Sequence, residues 1–247
     1  MNYRTVLFQE YSSTAQAPMI GVVENNYAIR ELAFRKKFRD ILPKSKEATI
    51  LDIGCGMGFF LKFLQSSGFS NSVGIDLSPE QVDTAQTFGV KGARLCRWQD
   101  FLPEHIEKFD FIMLDNVIEH LTKDEIVELL KCMLASLKPG GKVYISTPNG
   151  GSPFGVPLAF IDFTHEVYFT AASLSQVLHA CGFSSVYVAG EPLIGFDLRS
   201  YIRQMIFSFI KPFVKAGYVI GTGGGGRTAI PHIIEPSLVA IAYKPTI

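Results

Sequence analysis

One eight-residue run constrains this chain more than any other: Leu51-Asp52-Ile53-Gly54-Cys55-Gly56-Met57-Gly58. The apolar stretch Thr49–Ile53 reads as a buried strand that passes directly into a glycine-rich turn. A helix follows over Met57–Ser67, and Gly68 stops it. Glycine permits positive φ and close approach of backbone to a ligand. The first N–H groups of the helix are free to meet a polar or anionic group. A strand that ends this way is the opening unit of a parallel sheet with a ligand at its carboxyl edge.

The rest of the chain continues that alternation. Glu24–Leu42 is amphipathic, with Pro43 just past its end. Ser72–Leu77 is a second strand, and Ser78-Pro79-Glu80-Gln81 has the form of a capping box with Pro at the first helical position. Ala93–Arg97 and Phe109–Leu114 are strands three and four. Thr122-Lys123-Asp124-Glu125 caps a helix whose apolar face carries Ile126, Leu129, Leu130, Met133, Leu134 and Leu137. That helix ends at Lys138-Pro139-Gly140-Gly141, and Lys142–Ser146 is the fifth strand. Ala171–Cys181 is a helix closed by Gly182, Ser184–Ala189 a sixth strand and Leu238–Tyr243 a seventh. The expected fold is α/β: a seven-stranded, mostly parallel sheet with a final antiparallel strand and helices on both faces.

Ligands of such sheets bind outside the carboxyl ends of the strands. Asp76 closes strand two, 22 residues after Gly54, where a carboxylate can accept bonds from both hydroxyls of a ribose. Its alternative role is to help cap the next helix. Two nucleoside cofactors could use this arrangement. A dinucleotide fingerprint places its third glycine at position 59, but Phe59 stands there and the third glycine is Gly58.

With these residues in place, the chain resembles the class I S-adenosylmethionine-dependent methyltransferases, whose fold is Rossmann-like. Leu51–Gly58 looks like their first motif and Gly74-Ile75-Asp76-Leu77-Ser78 like their second. Trp98-Gln99-Asp100-Phe101-Leu102 resembles the adenine-binding segment, and Asp115-Asn116-Val117-Ile118-Glu119-His120-Leu121 the segment after strand four. The resemblance covers about 45–190 and again 237–244. It implies S-adenosyl-L-methionine as cofactor. Gly54, Cys55 and Gly56 would hold its methionine part with Asp52, and Asp76 its ribose. Leu77 would pack on the adenine, Asp100 would accept from its amino group, and the Phe101 backbone would meet a ring nitrogen. Asp115 or Asn116 would lie beside the reacting methyl. It also implies a core of 45–190 with 237–247, an N-terminal segment and lid helix over 1–44, and an insertion over 191–236.

A sulfonium methyl is already activated, so the main requirement is in-line placement of the acceptor. Placement of that kind contributes about 7–11 kcal/mol at best. An alcohol acceptor also needs its proton removed, a service of roughly 10²–10⁴-fold. Asp162-Phe163-Thr164-His165-Glu166 follows strand five in a loop that should overhang the cofactor. His165 is the first candidate base, or else a tie from that loop to backbone carbonyls. His120 is the second, or else a cap after strand four, and Asp162 is a further acid candidate. No resident metal is expected, although Glu119 and His120 with Asp115 or Asp162 offer donors that a divalent ion takes. Some quinone-pathway O-methyltransferases resemble this segment and use such an ion.

Charge and cysteine usage exclude other classes. Lys+Arg and Asp+Glu both total 23, which argues against a dedicated nucleic-acid binder. Cys55, Cys96, Cys132 and Cys181 form no Cys-x-x-Cys pair, so a zinc ribbon or disulfide scaffold is excluded. Met1-Asn2-Tyr3-Arg4 leads into no apolar signal core, which fits a cytoplasmic place. The uncharged stretch Val143–Ile161 is too broken by Pro and Gly to span a membrane. The insertion is distinctive: no acid occurs from Leu198 to Ile234, while Arg199, Arg203, Lys211 and Lys215 alternate with aromatic and aliphatic residues. Pro212 should break or kink any helix there, and Gly221–Gly226 should be a loop. Residues 198–220 are therefore either a subdomain packed on the core or on a second subunit, or a basic face at the inner membrane surface. The expected reaction is O-methylation of a sugar or lipid-linked glycan in surface-polysaccharide biosynthesis. A quinone- or phenol-type acceptor is the alternative. A non-catalytic binding module of the same fold is the third, against which the intact Gly54, Gly56, Asp76 and Asp100 argue.

Overall fold

The computed structural model describes residue 7 and residues 23–194, 198–222 and 233–246. In chain order its main elements are α1 (Val23–Lys37), β1 (Ile50–Ile53), α2 (Phe59–Ser66), β2 (Ser72–Asp76), α3 (Pro79–Thr87) and β3 (Ala93–Leu95). There follow the single turn α4 (Trp98–Phe101), β4 (Phe109–Asp115), a 3₁₀ turn over Ile118–His120, α5 (Lys123–Ser136) and β5 (Leu137–Pro148). The last are α6 (Val156–Phe160), α7 (Ala171–Ala180), β6 (Ser184–Gly190), α8 (Leu198–Thr222) and β7 (Ser237–Tyr243).

The seven strands form one sheet in the order β3-β2-β1-β4-β5-β7-β6. Parallel pairing joins β3 to β2, β2 to β1, β1 to β4 and β4 to β5; β7 runs antiparallel between β5 and β6. The order reverses at β1 and β4, so the crevice at their carboxyl ends is the switch point.

Alternating strand residues feed two cores. Leu51, Ile53, Ile112, Leu114, Val143 and Ile145 point to one face, against α5 and α7. Ile50, Phe111, Met113 and Tyr144 point to the other, where Phe34 and Phe38 of the α1 segment meet Phe60 and Phe63 of α2. Both faces are apolar, so the central strands read as nearly continuous hydrophobic runs.

Several boundaries differ from the sequence expectation. The first helix ends at Lys37, short of Leu42, and continues as separate turns closed by Ile41 N–H and Leu42 N–H on the Phe38 carbonyl. Helix α2 begins at Phe59 because Gly58 takes φ +74, a left-handed conformation no helix contains. Strand β5 is much longer than Lys142–Ser146: the Lys138–Gly141 turn lies inside it, as an irregularity between the pairings at Phe109 and Phe111. Pro212 does not break its helix, which runs 25 residues through it. Pro212 is exposed, so solvent can satisfy the carbonyl that its missing N–H leaves over. Gly221 and Thr222 close α8; residues 223–226 of the expected loop lie outside the described residues.

Candidate active site

The glycine turn is shaped by contacts on three sides. Gly54, Gly56 and Gly58 all have positive φ, at 73°, 53° and 74°. At Gly54 a Cβ would lie 2.3 Å from Val117 Cγ2, so the turn and the segment after β4 touch. Gly54 N–H and Cys55 N–H both donate to the Ile75 carbonyl, at 2.8 and 3.1 Å. The Tyr27 hydroxyl of α1 donates to the Met57 carbonyl at 2.5 Å and its ring packs on Phe59, at 4.6 Å between centroids. A helix from the N-terminal segment thus sits over the turn, as a lid would.

Asp76 closes β2 and binds the turn. One carboxylate oxygen accepts from Gly56 N–H and the other from Ser78 N–H, each at 2.8 Å. The Ser78 hydroxyl in turn accepts from Gln81 N–H at the start of α3. Burial raises the Asp76 pKa against the lowering by these N–H donors. A carboxylate has about four lone-pair sites, so Asp76 can fill its structural role and still accept from two ligand hydroxyls. Leu77, just beyond it, is 49% exposed and offers an apolar surface.

Asp52, Asp76 and Asp115 come together at the carboxyl ends of β1, β2 and β4. Asp52 is buried, and burial first, then repulsion from Asp115 and Asp76, drives its pKa well above the carboxylate range. Asp115 accepts from the Ser146 hydroxyl, and Lys37 Nζ lies 3.9 Å from it. Lys37 also reaches Glu191 at 2.5 Å. Burial alone would lower the Lys37 pKa; attraction to Asp115 and Glu191 outweighs burial and raises it. Arg30 stacks on Phe59 at 4.3 Å and also feels the Asp115 charge. Asn116 takes φ +53, a conformation Asn tolerates better than most residues, as the chain leaves the sheet. Three carboxylates gathered at one end of the sheet make a site for a cationic ligand, and Arg30 can meet an anionic group on the same ligand.

Residues around α4 behave differently. Asp100 is exposed at the rim. The Phe101 N–H already donates to the Arg97 carbonyl, and its buried ring stacks on His105 at 4.0 Å. The backbone contact to a ring nitrogen implied for Phe101 therefore lacks a free donor, since the one-turn helix uses it. Asp100 keeps a position from which a ligand can be met.

Beside the acids lies a second cluster. His120 and His165 rings are 4.7 Å apart and edge-to-face. Glu119, His120 and His165 each offer a ligand atom, all within 4.8 Å of one another. Asp115 and Asp162, the partners considered from sequence, are not part of that set. The His165 Nδ1 faces the Ala159 carbonyl at 2.6 Å, an acceptor only, so Nδ1 carries the proton and Nε2 the lone pair. The Thr164 hydroxyl donates to Asp162 at 2.7 Å, so His120 Nδ1, 2.7 Å from Thr164 Oγ1, is the donor there. Both rings are thus held in the tautomer that puts the lone pair on Nε2. Asp162 also accepts from Thr164 N–H at 2.9 Å, which makes it the residue that shapes the loop.

Glu119 is buried, and neither of its oxygens has a hydrogen-bond partner among the described residues. Burial pushes its carboxyl up to about 8, against the opposing influence of its own backbone and the Thr147 hydroxyl. Its carbonyl accepts from Glu166 N–H and Val167 N–H at 2.7 and 3.1 Å, stitching the loop to the turn after β4. Sequence reasoning missed Lys37, Arg30 and Thr164. The first two lie on a helix far away in the chain, Arg30 at its middle and Lys37 at its end, and only their basic character hinted at a role.

Known proteins resemble this chain in sequence and in fold. A family profile described as "Methyltransferase domain" matches residues 26–188. The chain belongs to that family. Among curated relatives it is 30% identical over 160 residues to the human mitochondrial ubiquinone biosynthesis O-methyltransferase, covering 57% of this chain and 42% of that protein. It is 28% identical over 190 residues to the tRNA U34 carboxymethyltransferase of Hahella chejuensis, covering 70% and 56%. The chain thus spans about half the length of the curated relatives it matches. Among solved structures, a SAM-dependent methyltransferase from Archaeoglobus fulgidus superposes with a TM-score of 0.64 at 21% identity, covering 88% of this chain and 94% of that one. At that identity the likeness concerns the fold.

Proposed function

We propose that this chain transfers the methyl group of S-adenosylmethionine to an oxygen of a small acceptor. The observation that carries the reading is the juxtaposition of two groups at the switch point: the acid-lined glycine turn, and a histidine pair whose proton positions are fixed by loop contacts. The sulfonium and ammonium charges of the cofactor would relieve the repulsion among Asp52, Asp76 and Asp115. Its ribose would lie on Asp76, its adenine on Leu77 within reach of Asp100, and its carboxylate within reach of Arg30. The acceptor hydroxyl would give its proton to His165 Nε2 as its oxygen forms the new O–CH₃ bond and the S–CH₃ bond breaks. The products are the methyl ether and S-adenosylhomocysteine.

The acceptor that best fits the matched relatives is a phenol of the quinone-precursor type, since those relatives are named for ubiquinone biosynthesis. A phenol near pKa 10 is also far easier for a histidine to deprotonate than a sugar hydroxyl. A lipid-linked glycan keeps support from the basic segment 198–220. A catechol, a quinone precursor and a sugar nucleotide, each incubated with radiolabelled S-adenosylmethionine, separate these acceptors. Label appearing in none of them, with the cofactor bound, would count against O-methylation of these acceptors.

One observation favours a second reading of the histidine cluster. The two unpartnered Glu119 oxygens and two Nε2 lone pairs are the donor set of a divalent-ion site. An ion there would polarise the acceptor oxygen in place of a base. Activity lost in EDTA and restored by magnesium or zinc distinguishes it from proton transfer to His165 alone.

A further inference from the structure

Helix α8 presents the wrong face to water. Its inner side is tied to the body by buried Ser200, by Gln204 Nε2 donating to the Leu193 carbonyl at 3.0 Å, and by Lys211 paired with Glu235. On the opposite side stand Leu198, Met205, Phe209, Phe213 and Ile220, exposed by 76, 69, 70, 63 and 82%. At 3.6 residues per turn these five fall on one stripe. Arg199 and Arg203 border that stripe on one side and Lys215 on the other, and the helix contains no acid. An apolar stripe edged by cations is the pattern of a helix lying in a lipid interface. The helix cannot be a span: no described helix is long and apolar enough to cross a membrane.

A second exposed apolar element lies on the loop after β5. Phe154 packs edge-on at 5.4 Å against Phe207, on the body-facing side of α8, which fixes the loop beside the helix. From there the chain exposes Phe160 by 67% and Ile161 by 79%. The same loop goes on to Asp162, Thr164 and His165, whose bonds orient the histidine cluster. Exposed apolar side chains of this size, on the stripe and on the loop tip, mark an interaction site.

We propose that the outer stripe of α8 and the Phe160–Ile161 tip together seat this protein on an anionic bilayer surface. Charge complementarity selects that occupant. The chain as a whole has zero formal net charge, yet this helix carries three cations besides the Lys211 paired with Glu235, and no carboxylate. A second copy fits poorly, because pairing this face about a two-fold axis sets like charges side by side with no acid of the helix to offset them. Seated this way, the loop that shapes the histidine pair lies at the lipid boundary.

Cosedimentation of the full chain with vesicles of phosphatidylcholine alone, and with phosphatidylglycerol added, tests this. The protein is expected to pellet with the anionic vesicles at low salt and to be released as salt rises. Replacing Arg199→Gln and Arg203→Gln should weaken partitioning about fivefold per cation removed. Met205→Glu with Phe209→Glu should abolish it, and Phe160→Ser with Ile161→Ser should reduce it. Unchanged melting temperature and unchanged S-adenosylhomocysteine titration confirm that each variant is folded with its site intact. Wild-type protein left in the supernatant at low salt overturns the proposal. So does pelleting that the helix variants do not alter, or a dimer in sedimentation velocity that Met205→Glu converts to monomer.

Discussion

Removing the Asp76 carboxylate takes away the acceptor for Gly56 N–H and Ser78 N–H together with the proposed ribose contact. Hydrogen bonds to a charged group are worth about 1.5–3 kcal/mol each. Asp76→Ala should therefore weaken S-adenosylhomocysteine binding by about 10²-fold in a calorimetric titration. Undiminished affinity would leave Asp76 as a turn residue only. His165→Ala should lower kcat by roughly 10²–10⁴-fold with cofactor affinity retained; unchanged turnover removes it as base. Glu119 gives a pH test with a definite sign. Its folded carboxyl titrates near 8 and its ordinary value is about 4.5, so between these the folded state holds a proton that the unfolded state gives up. Stability from this group is thus complete below about 4.5 and declines as pH rises toward 8. Glu119→Gln should flatten that decline in melting temperature, and parallel curves for the two proteins would contradict a buried neutral acid. These residues differ in how far sequence disclosed them. Asp76 and Asp115 end strands, where position alone assigns a direction. Glu119 lies within 4.8 Å of His165, 46 residues on, and no local pattern encodes that meeting. Arg30 and Lys37 were invisible because their importance comes from docking a helix against another part of the chain.

At the scale of elements, strong local signals survived folding and marginal ones yielded to their neighbours. The Thr122–Glu125 capping box forms in full, and Ser78 caps α3 with Pro79 behind it. The strand assignments rested on apolar runs between glycines and proline, which is what a strand buried on both faces looks like. Strand β5 escaped because Lys138-Pro139-Gly140-Gly141 is turn chemistry, yet Gly140 N–H finds the Lys244 carbonyl and the irregular stretch stays paired. Helix α8 escaped because a proline penalty is smallest where water can reach the orphaned carbonyl. The glycine turn is the least forgiving element. Ala at Gly54 would need φ +73 and would place its Cβ 2.3 Å from Val117 Cγ2. Left-handed strain and overpacking together cost about 2–5 kcal/mol. For a chain of this size that is a fall of roughly 5–15 °C in melting temperature. A Gly54→Ala protein that melts with wild type would show that the turn and the post-β4 segment are not in close contact.

For the molecule as a whole, the topology alone brings the parts of the site together. The order β3-β2-β1-β4-β5-β7-β6 puts the carboxyl ends of β1, β2 and β4 side by side, and with them three acids drawn from residues 52 to 115. What the sheet does not supply comes over its edge: Tyr27, Arg30 and Lys37 from α1, and Thr164 and His165 from the loop after β5. The second half of α1 is anchored in the core through Phe34, while Tyr27, only partly buried, meets the glycine turn and the rings of Phe59 and Phe88. Ligand binding at the turn should therefore tighten the start of α1 more than its end. S-adenosylhomocysteine at about 100 times its Kd should add roughly 2.7 kcal/mol, or about 5–10 °C in melting temperature. In hydrogen exchange the added protection should concentrate in the amides of Tyr27–Ala33 and of the turn around Gly56, with α7 on the far core unchanged. Protection spread evenly over both cores would mean that the ligand stabilises the fold without closing α1 over the turn, and the helix would lose its role as a lid.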